Sequence, residues 1–346
     1  MSILTVKAPA KINLHLRVKN RRPDGFHELD SVFAALDFGD ILHFEPLSHD
    51  GELLIELNAQ PYTFEAGQDT SRALPASKNI ISRAVSLFRE RSGFHKGLKI
   101  RLEKHIPLGG GLGGGSSDAA ATLLALNTLA AGDPVSAVAP LDAASLAELG
   151  LVLGSDVPFF LKKCVAARVG GRGETVQPLN IPPGLWIVLV NPGFSSDTGE
   201  AFRLLDQFRA ETATGARYVN QNSLSQNCQY AGIDAEFANP AQKAQCLSAS
   251  ERGSLNEVTD TPRDWPFTND FLPVFLMDDR VNTAYQNMLE QLREQGADFA
   301  GLSGAGSTCV GVFTDRDLAQ RARENLQLRW NFVKFTFLLE ITDRAG

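Results

Sequence analysis

The chain has 346 residues, enough for two domains on the usual domain size, and its 43% hydrophobic and 21% charged content is ordinary for a soluble globular protein. A net charge of −7 argues against a general nucleic-acid binder while leaving room for a local basic pocket. Cys164, Cys228, Cys246 and Cys309 are widely spaced with no CxxC, which predicts reduced thiols in a cytoplasmic protein; with no secretory pattern and no apolar run near the roughly 18 residues of a membrane span, no membrane partner is expected.

In chain order, Ile12, Leu14, Leu16 and Val18 alternate with Asn13, His15, Arg17 and Lys19, which predicts a strand over residues 3–18. Lys11, Asn13 and His15 share its polar side by parity, and the pattern by itself predicts a solvated face. Pro23-Asp24-Gly25 is a turn with a mechanism, since proline presets φ and glycine accepts positive φ. Phe26 and His27 follow it, by themselves the exposed end of a hairpin. Residues 32–36 and 40–44 read as two further strands, 58–77 as a polar loop, and 77–91 as an amphipathic helix with Ile80, Ile81, Ala84, Val85, Leu87 and Phe88 at a 3.6 period.

Next, Leu98, Ile100 and Leu102 alternate with Lys99, Arg101 and Glu103 as a half-buried strand. It leads into Pro107-Leu108-Gly109-Gly110-Gly111-Leu112-Gly113-Gly114-Gly115-Ser116-Ser117-Asp118, with six glycines in seven residues. An alanine-rich helix follows, and Ser116, Ser117 and Asp118 suit its N-cap or first turn. Strand, glycine loop and helix together aim backbone N–H groups and the positive helix end at one point, where an anion can sit. Glycine lets that anion come close to the backbone. No Lys-Ser/Thr pair closes the loop as a Walker A motif requires, and a dinucleotide GxGxxG lacks its acidic partner about 20 residues on. A flexible linker does not sit tightly between a patterned strand and a helix. A phosphate cradle without a lysine is the expectation.

A short helix is predicted over 141–149, then Leu153-Gly154-Ser155-Asp156-Val157-Pro158, where Asp156 by itself reads as a helix N-cap. Gly170-Gly171-Arg172-Gly173-Glu174 is a glycine-rich turn between strands. Residues 185–190 are a buried strand opening a second domain, and Ser195 to Phe202 begins a helix. Residues 206–265 are polar and aperiodic, an enlarged insertion that cannot bury much apolar surface. A helix over 281–295, a second glycine loop at Ser303-Gly304-Ala305-Gly306-Ser307 running into a strand, a helix over 318–326 and a final strand over 331–340 complete the chain.

Four motifs carry a resemblance over nearly the whole chain. Ala8-Pro9-Ala10-Lys11-Ile12-Asn13-Leu14, the glycine run, Gly154-Ser155-Asp156-Val157-Pro158 and the late glycine loop closely resemble, in order, those of the GHMP kinases. The resemblance implies a two-domain α+β fold, with a ribosomal-protein-S5-like N-terminal domain at 1–180, a ferredoxin-like C-terminal domain at 181–346 carrying the insertion, and the active site in the cleft between them. It implies an ATP-dependent small-molecule kinase. Phe26-His27 and the Gly-x-Asp-Val-Pro form favour the member that phosphorylates the 2-hydroxyl of a cytidyl diphospho sugar alcohol, in the non-mevalonate route to isoprenoid precursors, over a homoserine or mevalonate kinase. A non-catalytic nucleotide sensor of the same fold should have lost Lys11 or Asp156, and both are present.

By the same resemblance, Pro107, Leu108, Gly109, Gly110, Gly111, Leu112, Gly113, Gly114, Gly115, Ser116 and Ser117 hold ATP. Asp156 takes or orients the hydroxyl proton, and Lys11 beside it offsets developing negative charge. Asn13 and His27 position the substrate, and Phe26 and Phe202 flank its base; Phe26 stands where the family has tyrosine, so stacking survives and the phenol hydrogen bond is lost. Mg2+ is required, with ligands the sequence leaves unassigned. A monomer or weak homodimer is expected.

Overall fold

The computed structural model of the chain describes residues 3–59, 79–132, 138–213, 258 and 261–339. Its first half is a six-stranded sheet. The order is β3 (Leu53–Ala59), β4 (Leu98–Lys104), β2 (His27–Pro46), β5 (Ala166–Gly171), β6 (Thr175–Pro178), with β1 (Leu4–Arg21) also paired to β2. β1 and β2 form a long antiparallel hairpin closed by the Pro23-Asp24-Gly25 turn, where Arg22 N donates to Phe26 O at 2.6 Å.

The two strands expected at 32–36 and 40–44 are one. Gly39 keeps the ladder unbroken, because a Cβ there would stand 2.2 Å from Ala8 O. The register slips at that point, from Pro9 opposite Gly39 to Lys11 opposite Ala35.

Helices α1 (Ile80–Ser92), α2 (Gly114–Gly132), α3 (Ala143–Leu153) and α4 (Val157–Leu161) cover one face of this sheet. α1 starts later than its periodicity suggests because the Asn79 side chain accepts from Ile81 N at 2.9 Å and caps it. Its Ile81, Val85 and Phe88 meet Leu42, Phe44 and Ile100 of the strands. α2 is rich in alanine and leucine and lies centrally in the same core.

The second half is an antiparallel four-stranded sheet in the order β10 (Phe332–Phe337), β7 (Trp186–Asn191), β9 (Cys309–Phe313), β8 (Phe299–Leu302). Helices α5 (Thr198–Ala213), α6 (Leu272–Phe275), α7 (Asn282–Glu294) and α8 (Arg316–Leu326) complete it. The strand order is that of a ferredoxin-like unit. α5 runs through Ala213, so Asp206 and Arg209 belong to a helix and not to the polar insertion. Residues 214–257 of that insertion, and 60–77 of the earlier loop, lie outside the described residues.

The halves share a core. Ile12 and Leu14 of β1 pack with Ile187 and Leu189 of β7 and with Trp265 and Phe267. Backbone bonds cross the same seam, Leu16 N to Thr268 O at 2.8 Å and Asp270 N to Leu16 O at 3.0 Å. Cys164 and Cys309 are free thiols; Cys309 is buried and burial pushes its thiol up, while Cys228 and Cys246 lie outside the described residues. No described helix is long and apolar enough to cross a membrane.

Candidate active site

A cleft of about 780 Å³ lies between the halves, reached by β1, the 23–27 turn, the glycine loop, the N-terminus of α4, α5 and the 303–307 loop. At one end stands the glycine loop. Gly109, Gly111 and Gly113 have φ of +62°, +73° and +69°. A Cβ on Gly111 would sit 2.1 Å from Ser303 O, and one on Gly113 would sit 2.9 Å from Lys11 Cγ, so side chains are excluded by space as well as by conformation. The loop carbonyls are tied to the walls. Ser196 N donates to Gly109 O at 2.9 Å, Thr308 N to Gly110 O at 3.2 Å, Ser303 Oγ to Gly111 O at 2.9 Å and Lys11 N to Leu112 O at 2.9 Å. No N–H from Gly109 to Gly113 donates to another described residue, and the first N–H groups of α2 have no intrahelical partner. That is the donor array an anion needs.

Lys11 and Asp156 meet beside the loop, with Nζ and Oδ2 3.2 Å apart. Asp156 occupies the N-cap position of α4, yet its side chain makes no cap hydrogen bond and faces Lys11 instead. Lys11 Nζ also donates to Asn13 Oδ1 at 2.5 Å and lies 4.5 Å from the centre of the Phe33 ring. Asn13 Nδ2 donates to Ser31 Oγ at 2.9 Å, and Asn13 N to Ser303 Oγ at 3.2 Å. The face that parity marks as solvated is therefore buried, Lys11 and Asn13 at 3% exposure and His15 at 6%. Burial lowers the His15 imidazole to about 4, and its Nδ1 accepts from Thr268 N at 3.1 Å, which needs an unprotonated nitrogen.

The far end is aromatic. The His27 ring stacks on Phe202 at 5.0 Å and 17°, and Nε2 lies 2.9 Å from Asp206 Oδ1. Phe202 in turn meets the edge of Phe271 at 5.0 Å. Phe26 is half-exposed, with the Arg172 guanidinium 5.0 Å from its ring centre. Arg22 bonds Glu28 at 3.0 Å and Glu174 at 3.3 Å and ties the 23–27 turn to the 170–174 turn.

Comparison with known proteins fits this geometry. The GHMP kinases N terminal domain matches residues 79–163, and the GHMP kinases C terminal domain matches 269–331. A 4-diphosphocytidyl-2-C-methyl-D-erythritol kinase of Treponema pallidum (strain Nichols) is 32% identical over 95% of this chain and 97% of its own. The chain belongs to the 4-diphosphocytidyl-2-C-methyl-D-erythritol kinases. A second such kinase, from Geobacillus thermodenitrificans (strain NG80-2), is 33% identical over 94% of this chain and 93% of its own. The crystal structure of a 4-(cytidine 5'-diphospho)-2C-methyl-D-erythritol kinase superposes with a TM-score of 0.64 at 30% identity, over 97% of this chain and all of that one. A homoserine kinase from Cytophaga hutchinsonii, at 17% identity and a TM-score of 0.59, shares the fold. Membership in this family makes the chain an ATP-dependent small-molecule kinase.

Within the framework of a 4-diphosphocytidyl-2-C-methyl-D-erythritol kinase, every site residue expected from sequence lines the cleft except Ser117. Helix geometry accounts for the position of Ser117. α2 begins at Gly114, so Ser117 N already donates to Gly113 O at 2.9 Å, and its side chain is buried away from the cleft. Ser116, one residue earlier, remains on the lining.

Two groups escaped sequence reasoning. Asp206 lies four residues after Phe202, on the same helix face, a spacing hidden by assigning it to the insertion. Lys104 continues the inward parity of Leu98, Ile100 and Leu102 and is buried against Asp40 Oδ2 at 2.5 Å and Asp118 Oδ2 at 2.7 Å. Burial alone would lower its ammonium, but the two carboxylates outweigh that and raise it. Burial raises Asp118 to about 7, Lys104 opposing and Asp40 adding to the rise. Asp40 Oδ1 accepts from Ile106 N at 2.8 Å, so this cluster joins the chain entering the glycine loop to the helix leaving it.

Proposed function

We infer that the chain transfers the γ-phosphoryl group of ATP to the 2-hydroxyl of 4-diphosphocytidyl-2-C-methyl-D-erythritol, giving the 2-phosphate and ADP in the non-mevalonate route to isoprenoid precursors. The observation that carries the inference is the Lys11–Asp156 pair at 3.2 Å beside a glycine loop with free N–H groups, in a cleft whose other end is aromatic. ATP enters with its phosphates on the loop and the first turn of α2. Asp156 accepts the proton of the acceptor hydroxyl as its oxygen bonds the γ-phosphorus and ADP leaves. Lys11, held by Asn13, stabilises the charge spreading over the transferred group. Phe26, His27 and Phe202 receive the base. The 180/181 division belongs to the same reading, since the first sheet ends at Pro178 and the second begins at Trp186. So does a cytoplasmic setting, where a buried free thiol such as Cys309 stays reduced.

Mg2+ fits this site as a partner of the nucleotide. No cluster of three or more His, Cys, Asp or Glu suited to a metal occurs among the described residues. Mg2+ bound through phosphate oxygens and water needs only one or two protein oxygens. Ser116 lines the cleft at the first turn of α2, and we assign one such oxygen to its hydroxyl. When bound, it neutralises phosphate charge.

The test is ADP release with a panel of alcohols. 4-Diphosphocytidyl-2-C-methyl-D-erythritol should be turned over, and homoserine and mevalonate should not. Turnover of either of the latter in preference would replace this assignment with a sibling kinase.

A further inference from the structure

The basic side chains lining the cleft fall into two sets. Lys11 faces Asp156, Lys104 faces Asp40 and Asp118, and Arg203 faces Glu200 at 2.6 Å. Arg21 and Arg172 also line the cleft, and neither has a carboxylate within ion-pairing distance among the described residues. Each is nevertheless held. Arg21 Nε donates to Gly25 O at 3.2 Å, and Arg21 pairs with His27 across the hairpin. Arg172 N donates to Glu174 Oε2 at 2.6 Å, and its guanidinium lies 5.0 Å from the Phe26 ring centre, an attractive cation–π placement. Two positioned guanidinium groups without a carboxylate on an open cleft are set to receive an anion.

Position identifies the anion. Arg172 reaches Phe26 on one side of its turn. On the other side, Gly173 packs so tightly on the residue before Asp156 that a Cβ would stand 1.9 Å from Ser155 O. The turn therefore touches both the aromatic end and the approach to Lys11 and Asp156. In a cytidyl diphospho sugar alcohol, the diphosphate is the group between the base and the alcohol. We propose that Arg172 and Arg21 bind the acceptor's diphosphate and thereby set where its hydroxyl meets Asp156. This rests on the proposed reaction for the identity of the acceptor. Both arginines are positioning residues: they touch the acceptor's linker and not its reacting oxygen.

The experiment is calorimetric titration of CDP and of cytidine, with the nucleotide site filled by a non-hydrolysable ATP analogue. It compares the wild type with Arg172→Gln, Arg172→Lys and the Arg21→Gln/Arg172→Gln double variant. The wild type should bind CDP more tightly than cytidine by about tenfold or more, the scale of a hydrogen bond to a charged group. The double variant should lose about tenfold of that ratio with cytidine affinity unchanged, and Arg172→Lys should keep part of it. Turnover should fall through the acceptor KM, with the KM for ATP unaltered. A wild type without preference for CDP, or a double variant that keeps the full preference or loses cytidine and CDP alike, overturns the proposal. Wild-type turnover of the cytidyl alcohol reads the proposed reaction separately: its absence alongside an arginine-dependent CDP preference would overturn the reaction and leave the anion subsite standing.

Discussion

At the phosphate end of the cleft the working groups are largely backbone, and the Lys11 and Asn13 side chains among them are buried. The glycine loop is bonded through its carbonyls to β1 and to the 195–196 and 303–308 segments, and Lys11 and Asn13 are each 3% exposed. At the base end the working groups are side chains on a turn and on one helix face, and Phe26 is 48% exposed. An anion held by N–H groups needs a fixed backbone, which only tight packing supplies. A base held by stacked rings needs faces and edges, which a surface hairpin can present. Substitutions should therefore be costly in kcat at the first end and graded in acceptor KM at the second.

The largest effect tests the buried end directly. Asp156→Asn keeps shape and removes the proton acceptor, so kcat should fall by about 10²-fold or more while ATP affinity, read by titration, stays the same. Turnover near that of the wild type would remove Asp156 from the chemistry. Gly111→Ala follows. Its Cβ would stand 2.1 Å from Ser303 O at a φ of +73°, with backbone on both sides and no flexible atom to yield. We expect a loss of stability at the upper end of the usual mutational range, about 3 kcal/mol, and weakened ATP binding. Urea unfolding at unchanged midpoint would show that the loop is looser than its contacts imply.

The same contrast explains what the sequence disclosed. The phosphate end was legible because a run of glycines between a patterned strand and an alanine-rich helix states a backbone requirement, and residue identity is enough to express it. The late loop at 303–307 was legible for the same reason. The strand carrying Lys11 was found, and alternation alone would leave its polar face in water, since alternation along one strand says nothing of a second domain packing over it; only the motif resemblance pointed Lys11 and Asn13 inward. Gly39 hid the continuity of β2 because a glycine followed by an aspartate reads as a turn, while here it admits the close approach of Ala8. At the base end Phe26, His27 and Phe202 were named, yet their arrangement was not. From sequence the base sits between Phe26 and Phe202, whereas one face of Phe202 carries the His27 ring. Side-chain pairing across 179 residues, as between His27 and Asp206, leaves no local trace.

A third prediction probes the seam. His15 is lowered from 6.5 to about 4, so between those values the unfolded chain binds a proton that the folded chain does not. Stability therefore falls as pH drops through that window, by up to about 3 kcal/mol. Asp118 runs the other way: raised from 3.8 to about 7, it holds a proton when folded that the unfolded chain has lost, so its contribution declines as pH rises from about 4 to 7. The two overlap, and only a difference measurement separates them. His15→Gln compared with wild type in urea at pH 7 and pH 4.5 should be less sensitive to acid. Parallel acid losses in both proteins would assign the loss to other groups.

The smallest effect concerns the exposed end, where Asp206 meets His27 at 2.9 Å and its side chain is 45% exposed. A carboxylate only accepts, so His27 Nε2 carries the proton and donates to Asp206; in the neutral ring Nδ1 is then left as an acceptor. Cytosine presents an amino donor on the edge where uracil presents a carbonyl acceptor, so a ring held with Nδ1 as acceptor favours the cytidyl substrate. Stacking on Phe202 does not discriminate, because each base offers a similar face. The two contributions should separate. Phe202→Ala should raise KM for the cytidyl alcohol and its uridyl analogue alike. Asp206→Asn offers His27 either an amide donor or an amide acceptor and so no longer fixes which nitrogen carries the proton. It should leave kcat unchanged and narrow the cytidyl-to-uridyl ratio of kcat/KM by about fivefold, the scale of one solvent-exposed hydrogen bond. An unchanged ratio in Asp206→Asn would mean that His27 reads the base through its backbone, or not at all. A ratio that collapses in Phe202→Ala as well would mean that stacking and edge recognition are a single function.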